Sequence, residues 1–369
     1  MRNFHIDRLR GIAILMVLIG HSPRFIGQWS PALPEQIYIH VVVNAYYGVT
    51  MFFVISGYLI TSKFIQSGST EMSGDLKSFY VQRIGRIIPP LALLMTASFA
   101  ISVSMGDKFD VRNLIDIFVY LSQMDFASAS KLVPHTDSSW DALWSLRIEE
   151  TFYVFLPILV LIVGRTRRVA LMCVAAIAIG VFRRIENPRD IHDFFTTFDQ
   201  LAIGCLTAIY VKDLRRFSGQ TTLLALRLAA CGLLVVLYLY TLPMDNAAWC
   251  GCVALCTAAI IVSSPSGPPR TLALLRPLES CGRLSYEMYL CHLMILWALT
   301  PIGRMTLNTP APHFAAVTLV IVAIVLSYLV SLIVAKTYSE PLNRWIRYGS
   351  PRHSLMVGGN AQTDSIAAE

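Results

Sequence analysis

The 369-residue sequence predicts an all-α integral membrane protein of about ten transmembrane helices with both termini cytoplasmic. Three observations carry that expectation. Charged residues are 14% of the chain and apolar residues 55%, whereas an ordinary soluble domain is about 25% charged. Apolar runs of about 20 residues, the length that crosses a hydrocarbon core, recur from one end to the other. Finally, the Lys and Arg residues fall in short clusters between those runs, and most clusters share one side of the implied bundle. The net charge of +7 therefore reads as topology. No long basic run or basic-aromatic module is present, which argues against nucleic acid as a partner.

Taken in order, the candidate spans are 9–27, 38–61, 86–105, 143–163, 168–182, 194–211, 222–241, 247–263, 284–302 and 313–336. The first resembles a secretory leader, but it lacks a small-x-small cleavage site and carries Asp7 and His21. It is read as a retained span. With the N-terminus inside, the basic clusters at Arg8/Arg10, Lys63–Arg86, Arg165–Arg168, Lys212–Arg227, Arg270–Arg283 and Lys336–Arg352 all face the cytoplasm. One loop dissents, at 183–193, with Arg183, Arg184 and Arg189 outside. The longest connection, 106–142, holds an amphipathic stretch, VRNLIDIFVYL, suited to the membrane interface.

Residues 1–346 form one transmembrane domain, and 347–369 a polar, disordered cytoplasmic tail. Cys250, Cys252 and Cys256 read as small buried hydrophobes rather than metal ligands, and no metal site is expected. No internal repeat is evident, which weakens an inverted-repeat transporter.

Several segments could do chemistry. In IDRLRGIAILMVLIGHSPRF (6–25), Arg10 and His21 are eleven residues apart. Eleven residues are about three helical turns, leaving only ~20° of rotation, so the two share one face ~16 Å apart along the axis. An intramembrane imidazole faces a cavity or bonds a neighbouring helix. Arg83 and Arg86, in FYVQRIGRIIPPL, read either as snorkelling anchors or as a clamp for phosphate, which the planar guanidinium suits.

Glu149 and Glu150, in WSLRIEETFYVFLP, sit toward the outer part of the fourth span and project about 100° apart. Either Glu149 orients an imidazole, or it pairs with Arg147 or Trp144 at the interface. Ser56-Gly57 reads as a packing site, because no nucleophile elbow surrounds the serine. Glu287 and His292 lie within the ninth span, His292 reading as a hydrogen-bonding core histidine.

Together these segments resemble the membrane-bound acyltransferase 3 family, whose bacterial members O-acylate surface polysaccharide, lipopolysaccharide, nodulation factor or macrolide acceptors. The resemblance runs in order through IDRLRGIAILMVLIGH, GVTMFFVISGYLIT, FYVQRIGRIIPP, WSLRIEETFY, GRLSYEMYLCH and YSEPLNRW. It implies that His21 is the catalytic histidine, as general base or transient acyl carrier, with Arg10 as its paired arginine. Arg83, Arg86 and Arg10 would bind the donor, acyl-CoA and most simply acetyl-CoA, as co-substrate. Glu149 is the candidate for orientation or charge compensation.

The implied acceptor is a hydroxyl of an extracytoplasmic or lipid-linked carbohydrate, and the implied location is the bacterial inner membrane, among lipids. Gln82, Arg8 and Arg147 depart from the family pattern. No hydrolase-like domain follows the membrane unit, so acylation is expected to be completed there or with a separate partner. The alternatives are a secondary transporter or flippase of a glycan intermediate, which moves substrate without consuming acyl-CoA, and a non-catalytic scaffold.

Overall fold

The computed structural model describes residues 4–26, 35–66, 72–107, 140, 143–163, 166–187, 194–241, 248–265, 273–306 and 312–348, and among them all regular structure is helical. The helices are α1 (Phe4–Ile26), α2 (Glu35–Val43), α3 (Tyr46–Gln66), α4 (Met72–Ser104), α5 (Leu143–Val163), α6 (Thr166–Glu186) and α7 (Phe194–Phe217). They continue as α8 (Gln220–Tyr240), α9 (Ala248–Ser263), α10 (Arg276–Arg283), α11 (Ser285–Thr306), α12 (Pro312–Val334) and α13 (Glu340–Tyr348). A five-residue π turn, Ala335–Ser339, joins α12 to α13.

Nine of the ten apolar runs each fall mainly on one helix, whereas 38–61 spans part of α2, a turn at Asn44–Ala45 and most of α3. Among the described residues, five stretches are long and apolar enough to cross a membrane: Ile39–Phe64, Leu76–Ser104, Gln220–Tyr240, Ser285–Met305 and Phe314–Tyr348. A chain with five such helices is a multi-pass membrane protein. The other runs fall short for visible reasons: α1, α5 and α7 carry charges within their apolar length, α6 has arginines at both ends, and α9 has only 16 residues. The amphipathic stretch of the 106–142 connection and the tail beyond 348 lie outside the described residues.

Helix α3 lies at the centre, packed against α7, α1 and α9. Its contact with α7 is close because glycines face backbone on both sides. A β-carbon on Gly57 would sit 2.1 Å from the Leu201 carbonyl oxygen, and one on Gly204 2.2 Å from that of Val54. Small residues let membrane helices approach in this way, gaining van der Waals contact where apolar burial supplies no drive. Buried Tyr47, Phe53, Met51 and Leu201 fill the space around the crossing. Away from it, Phe182, Leu228 and Ile321 are exposed on α6, α8 and α12. Apolar exposure of that kind is ordinary against lipid.

Several polar groups within the bundle are paired across helices, where little water is available to them. Arg215 donates from Nε to Val262 O at 2.8 Å and from Nη2 to Ile261 O at 2.9 Å, capping the carbonyl end of α9. The Asn44 amide, in the turn before α3, donates to Tyr238 O and Thr241 O at the end of α8 (2.5 and 2.6 Å). Two of the three dissenting arginines also have structural employment. Arg184 is buried, donating from both terminal nitrogens to Asp199 of α7, one bond measuring 2.7 Å. Arg183 pairs with Glu186 at 3.3 Å.

Candidate active site

Five helices converge on one cleft, whose space, counted together with its opening to solvent, is about 780 Å³. Its polar lining comprises Arg10 of α1, Ser56 of α3, Arg83 and Arg86 of α4, and Glu149 and Tyr153 of α5. Tyr289 of α11 closes one side.

Arg10 owes its placement to the contact between α1 and α10. A β-carbon on Gly11 would lie 2.2 Å from Leu278 O, and one on Gly282 1.7 Å from Asp7 O, so the two helices meet backbone to backbone. Beside that contact, Arg8 donates from Nε and Nη2 to Glu279 Oε1 at 2.9 and 2.7 Å. Arg8, one of the departures from the family pattern, is thereby engaged as a fastener of α10. Arg10, two residues on and so about 200° around the helix, faces the cleft.

On α4 the Arg83 guanidinium stands 4.5 Å from the Tyr153 ring centroid and 5.4 Å from that of Phe79. Stacking holds the planar fork in place while its edge stays available. Pro89 and Pro90 follow within the helix, and neither has an N–H to return to the carbonyls of Gly85 and Arg86. Behind Gly85, the Asn343 side chain of α13 abuts the backbone so closely that a β-carbon there would lie 2.7 Å from its Oδ1. Gln82, the second departure, accepts from Lys63 Nζ at 2.7 Å and lies outside the cleft lining.

Glu149 is the carboxylate of the cleft. Ser56 Oγ and Tyr153 OH both donate to its Oε1. It acts as the opposite charge on Arg10 and Arg83, while Arg86 acts on both as a like charge. Glu287 of α11 stands within electrostatic reach of Arg86 and Arg10. Glu150 is not part of the lining, as adjacent carboxylates on one helix should diverge.

His21 is not part of the cleft lining. Its Nδ1 lies 2.8 Å from Val17 O, and a carbonyl can only accept, so Nδ1 carries the hydrogen and Nε2 the lone pair. The ring meets that of His292 edge-on, with centroids 5.2 Å apart and planes at 65°. His292 in turn lies 5.5 Å from the Tyr289 ring, and Tyr289 OH is bonded to Ser145 Oγ at 2.6 Å. The rings of Tyr289, His292 and His21 thus run from the wall of the cleft to the imidazole.

Glu149, the candidate for orientation or charge compensation, shares the cleft of the arginines. The physical reason lies in α4, which begins at Met72, fourteen residues before the apolar run. Arg86 is therefore ~21 Å along its helix rather than at its mouth. Tyr153 went unnoticed in the sequence, although it stands four residues from Glu149, the spacing at which helix neighbours meet. The bond from Ser56 to Glu149 spans 93 residues and has no local signature.

The family model described as an acyltransferase domain, acyltransferase 3, matches residues 3–336. The chain belongs to this family. Among acyltransferase 3 relatives, it is 29% identical over 336 residues to Bacillus subtilis YrhL, assigned by name as a peptidoglycan O-acetyltransferase, covering 80% of this chain and 49% of the relative. It is 26% identical to nodulation protein 10 of Rhizobium leguminosarum bv. viciae, covering 82% and 89%. Identity to O-acetyltransferase OatA of Staphylococcus aureus is 25%, covering 79% and 50%. The chain thus spans about half the length of YrhL and OatA. No solved structure matches it.

Proposed function

We propose that this acyltransferase 3 protein is an O-acetyltransferase of the bacterial inner membrane, transferring acetyl from cytoplasmic acetyl-CoA to a carbohydrate hydroxyl. The acceptor is extracytoplasmic or lipid-linked, and ten crossings with both termini inside complete the topology. The observation that carries the reading is the convergence of three guanidinium groups from two helices on a cleft lined by a single carboxylate. Arginine forks at that density suit a donor rich in phosphate. His21 lies on the same helix as Arg10, three turns farther along. The names of YrhL and OatA supply the acetyl group, and that of YrhL a carbohydrate acceptor.

In this reading the phosphates of CoA lie against Arg10, Arg83 and Arg86, and the pantetheine arm carries the thioester toward His21. Nε2 of His21 takes the proton of the attacking hydroxyl as its oxygen bonds to the acetyl carbon. The C–S bond then breaks, and the imidazolium returns the proton to the departing thiolate. Glu149 offsets part of the arginine charge, so that spent CoA can leave.

Membranes containing the His21→Ala variant, supplied with labelled acetyl-CoA, test the assignment. Loss of label from carbohydrate by a factor of about 100 or more is expected, with insertion unchanged. Wild-type transfer by that variant would remove His21 from the mechanism. Substrate movement without acetyl-CoA consumption would identify a transporter instead.

A further inference from the structure

The ring that His21 touches is unusual in its own right. His292 is 0% exposed. Its Nδ1 lies 2.6 Å from Tyr289 O, so this ring too carries its hydrogen at Nδ1 and its lone pair at Nε2. That Nε2 is buried with no hydrogen-bond partner. A buried acceptor left without a donor is destabilising, and native structures rarely keep one without a use. The ionisable neighbour that acts on His292 electrostatically is His21. Two imidazolium ions with centroids 5.2 Å apart would repel, so the pair holds at most one positive charge.

We propose that His292 is a positioning residue for His21, its neutral ring with the Nε2 lone pair supporting the imidazolium that His21 becomes on taking the proton of the attacking hydroxyl. The proposal rests on His21 being the base. The hydroxyl O–H bond breaks toward Nε2 of His21 while the oxygen bonds to the acetyl carbon. Until the thiolate leaves, the added proton stays on Nε2 of His21, and the neutral ring beside it adds no second positive charge. The thiolate then recovers that proton, and His292 finishes the cycle as it began. His292 needs no route to substrate, which agrees with its complete burial. Fixing both Nδ1 atoms on backbone carbonyls makes both Nε2 atoms the basic ones, without competition from the other tautomer.

The experiment compares His21→Ala, His292→Phe and His292→Gln in membranes of the native host. Turnover is read as label passing from acetyl-CoA to the host's own envelope carbohydrate, normalised to inserted protein. Phenylalanine keeps the ring volume without an acceptor; glutamine offers an acceptor oxygen near the position of Nε2. His292→Phe should lower kcat roughly 10- to 100-fold, a loss on the scale of a hydrogen bond to a charged group, and leave KM for acetyl-CoA within about twofold. His292→Gln should recover most of that loss. Should the phenylalanine variant fail to insert, His292→Met takes its place, being apolar and adaptable.

Wild-type kcat in His292→Phe, or equal kcat losses in the apolar and glutamine variants, would overturn the proposal. With His21→Ala inactive, either result leaves the base assignment standing. Activity in His21→Ala would sink that assignment by itself, and this proposal with it.

Discussion

At the scale of single residues, the cleft is a charge arrangement whose parts have separable effects. Arg83 and Arg86 reach it from one turn of α4, and each is expected to contribute to donor affinity through charge-assisted bonds. Arg83→Ala or Arg86→Ala should raise KM for acetyl-CoA roughly tenfold or more, about 1.4 kcal/mol, with insertion unchanged. Equilibrium binding of labelled acetyl-CoA to membranes measures this, and unchanged affinity would return both residues to anchoring. Glu149→Gln works in the opposite direction. It preserves the shape that receives Ser56 and Tyr153 but removes the charge opposing Arg10 and Arg83. The donor should bind several-fold tighter while kcat falls, because CoA is retained for the same electrostatic reason. A fall in donor affinity instead would show that Glu149 does not offset the arginines.

At the scale of helices, most of the architecture was legible in the sequence because the solvent is apolar. A bilayer demands runs of fixed length, and the run at 143–163 has the same bounds as α5. The candidate site was legible where it follows a helical period, as in the three-turn separation of Arg10 and His21 on α1. It was hidden where charge extends a helix beyond its apolar window, as in α4, and where partners meet across the bundle, as Ser56 meets Glu149. Arg184 dissented from the positive-inside pattern, and a count of basic residues cannot see that it is paired with Asp199. That pair makes a test between elements. Asp199→Asn leaves a buried guanidinium short of its carboxylate and should cost roughly 3–5 kcal/mol. Thermal unfolding in detergent should show the loss. Arg184→Met/Asp199→Leu should recover much of it, whereas additive damage would argue against coupling between α6 and α7.

At the scale of the whole molecule, the bundle divides its surfaces by task. The outer faces of α6, α8 and α12 present Phe182, Leu228 and Ile321 to lipid, while charge is gathered inward from α1, α4, α5 and α11. Long-range attraction of a polyanionic donor should therefore weaken with salt, although contacts within the cleft are less screened. Raising ionic strength from about 0.01 to 0.15 M shortens the Debye length from about 30 to 8 Å and should slow acetyl-CoA association more than it slows dissociation. Stopped-flow measurement of both rates decides, and equal slowing would count against steering.

The π turn gives the last helix a mechanical office. It delivers α13 to α4, where Asn343 wedges behind Gly85, midway between Arg83 and Arg86. The matched family domain stops at residue 336, inside that turn. Asn343 itself belongs to YSEPLNRW, the last of the segments that resemble the family. A smaller side chain at position 343 should therefore loosen the seat of Arg83 and Arg86 without altering any residue that lines the cleft.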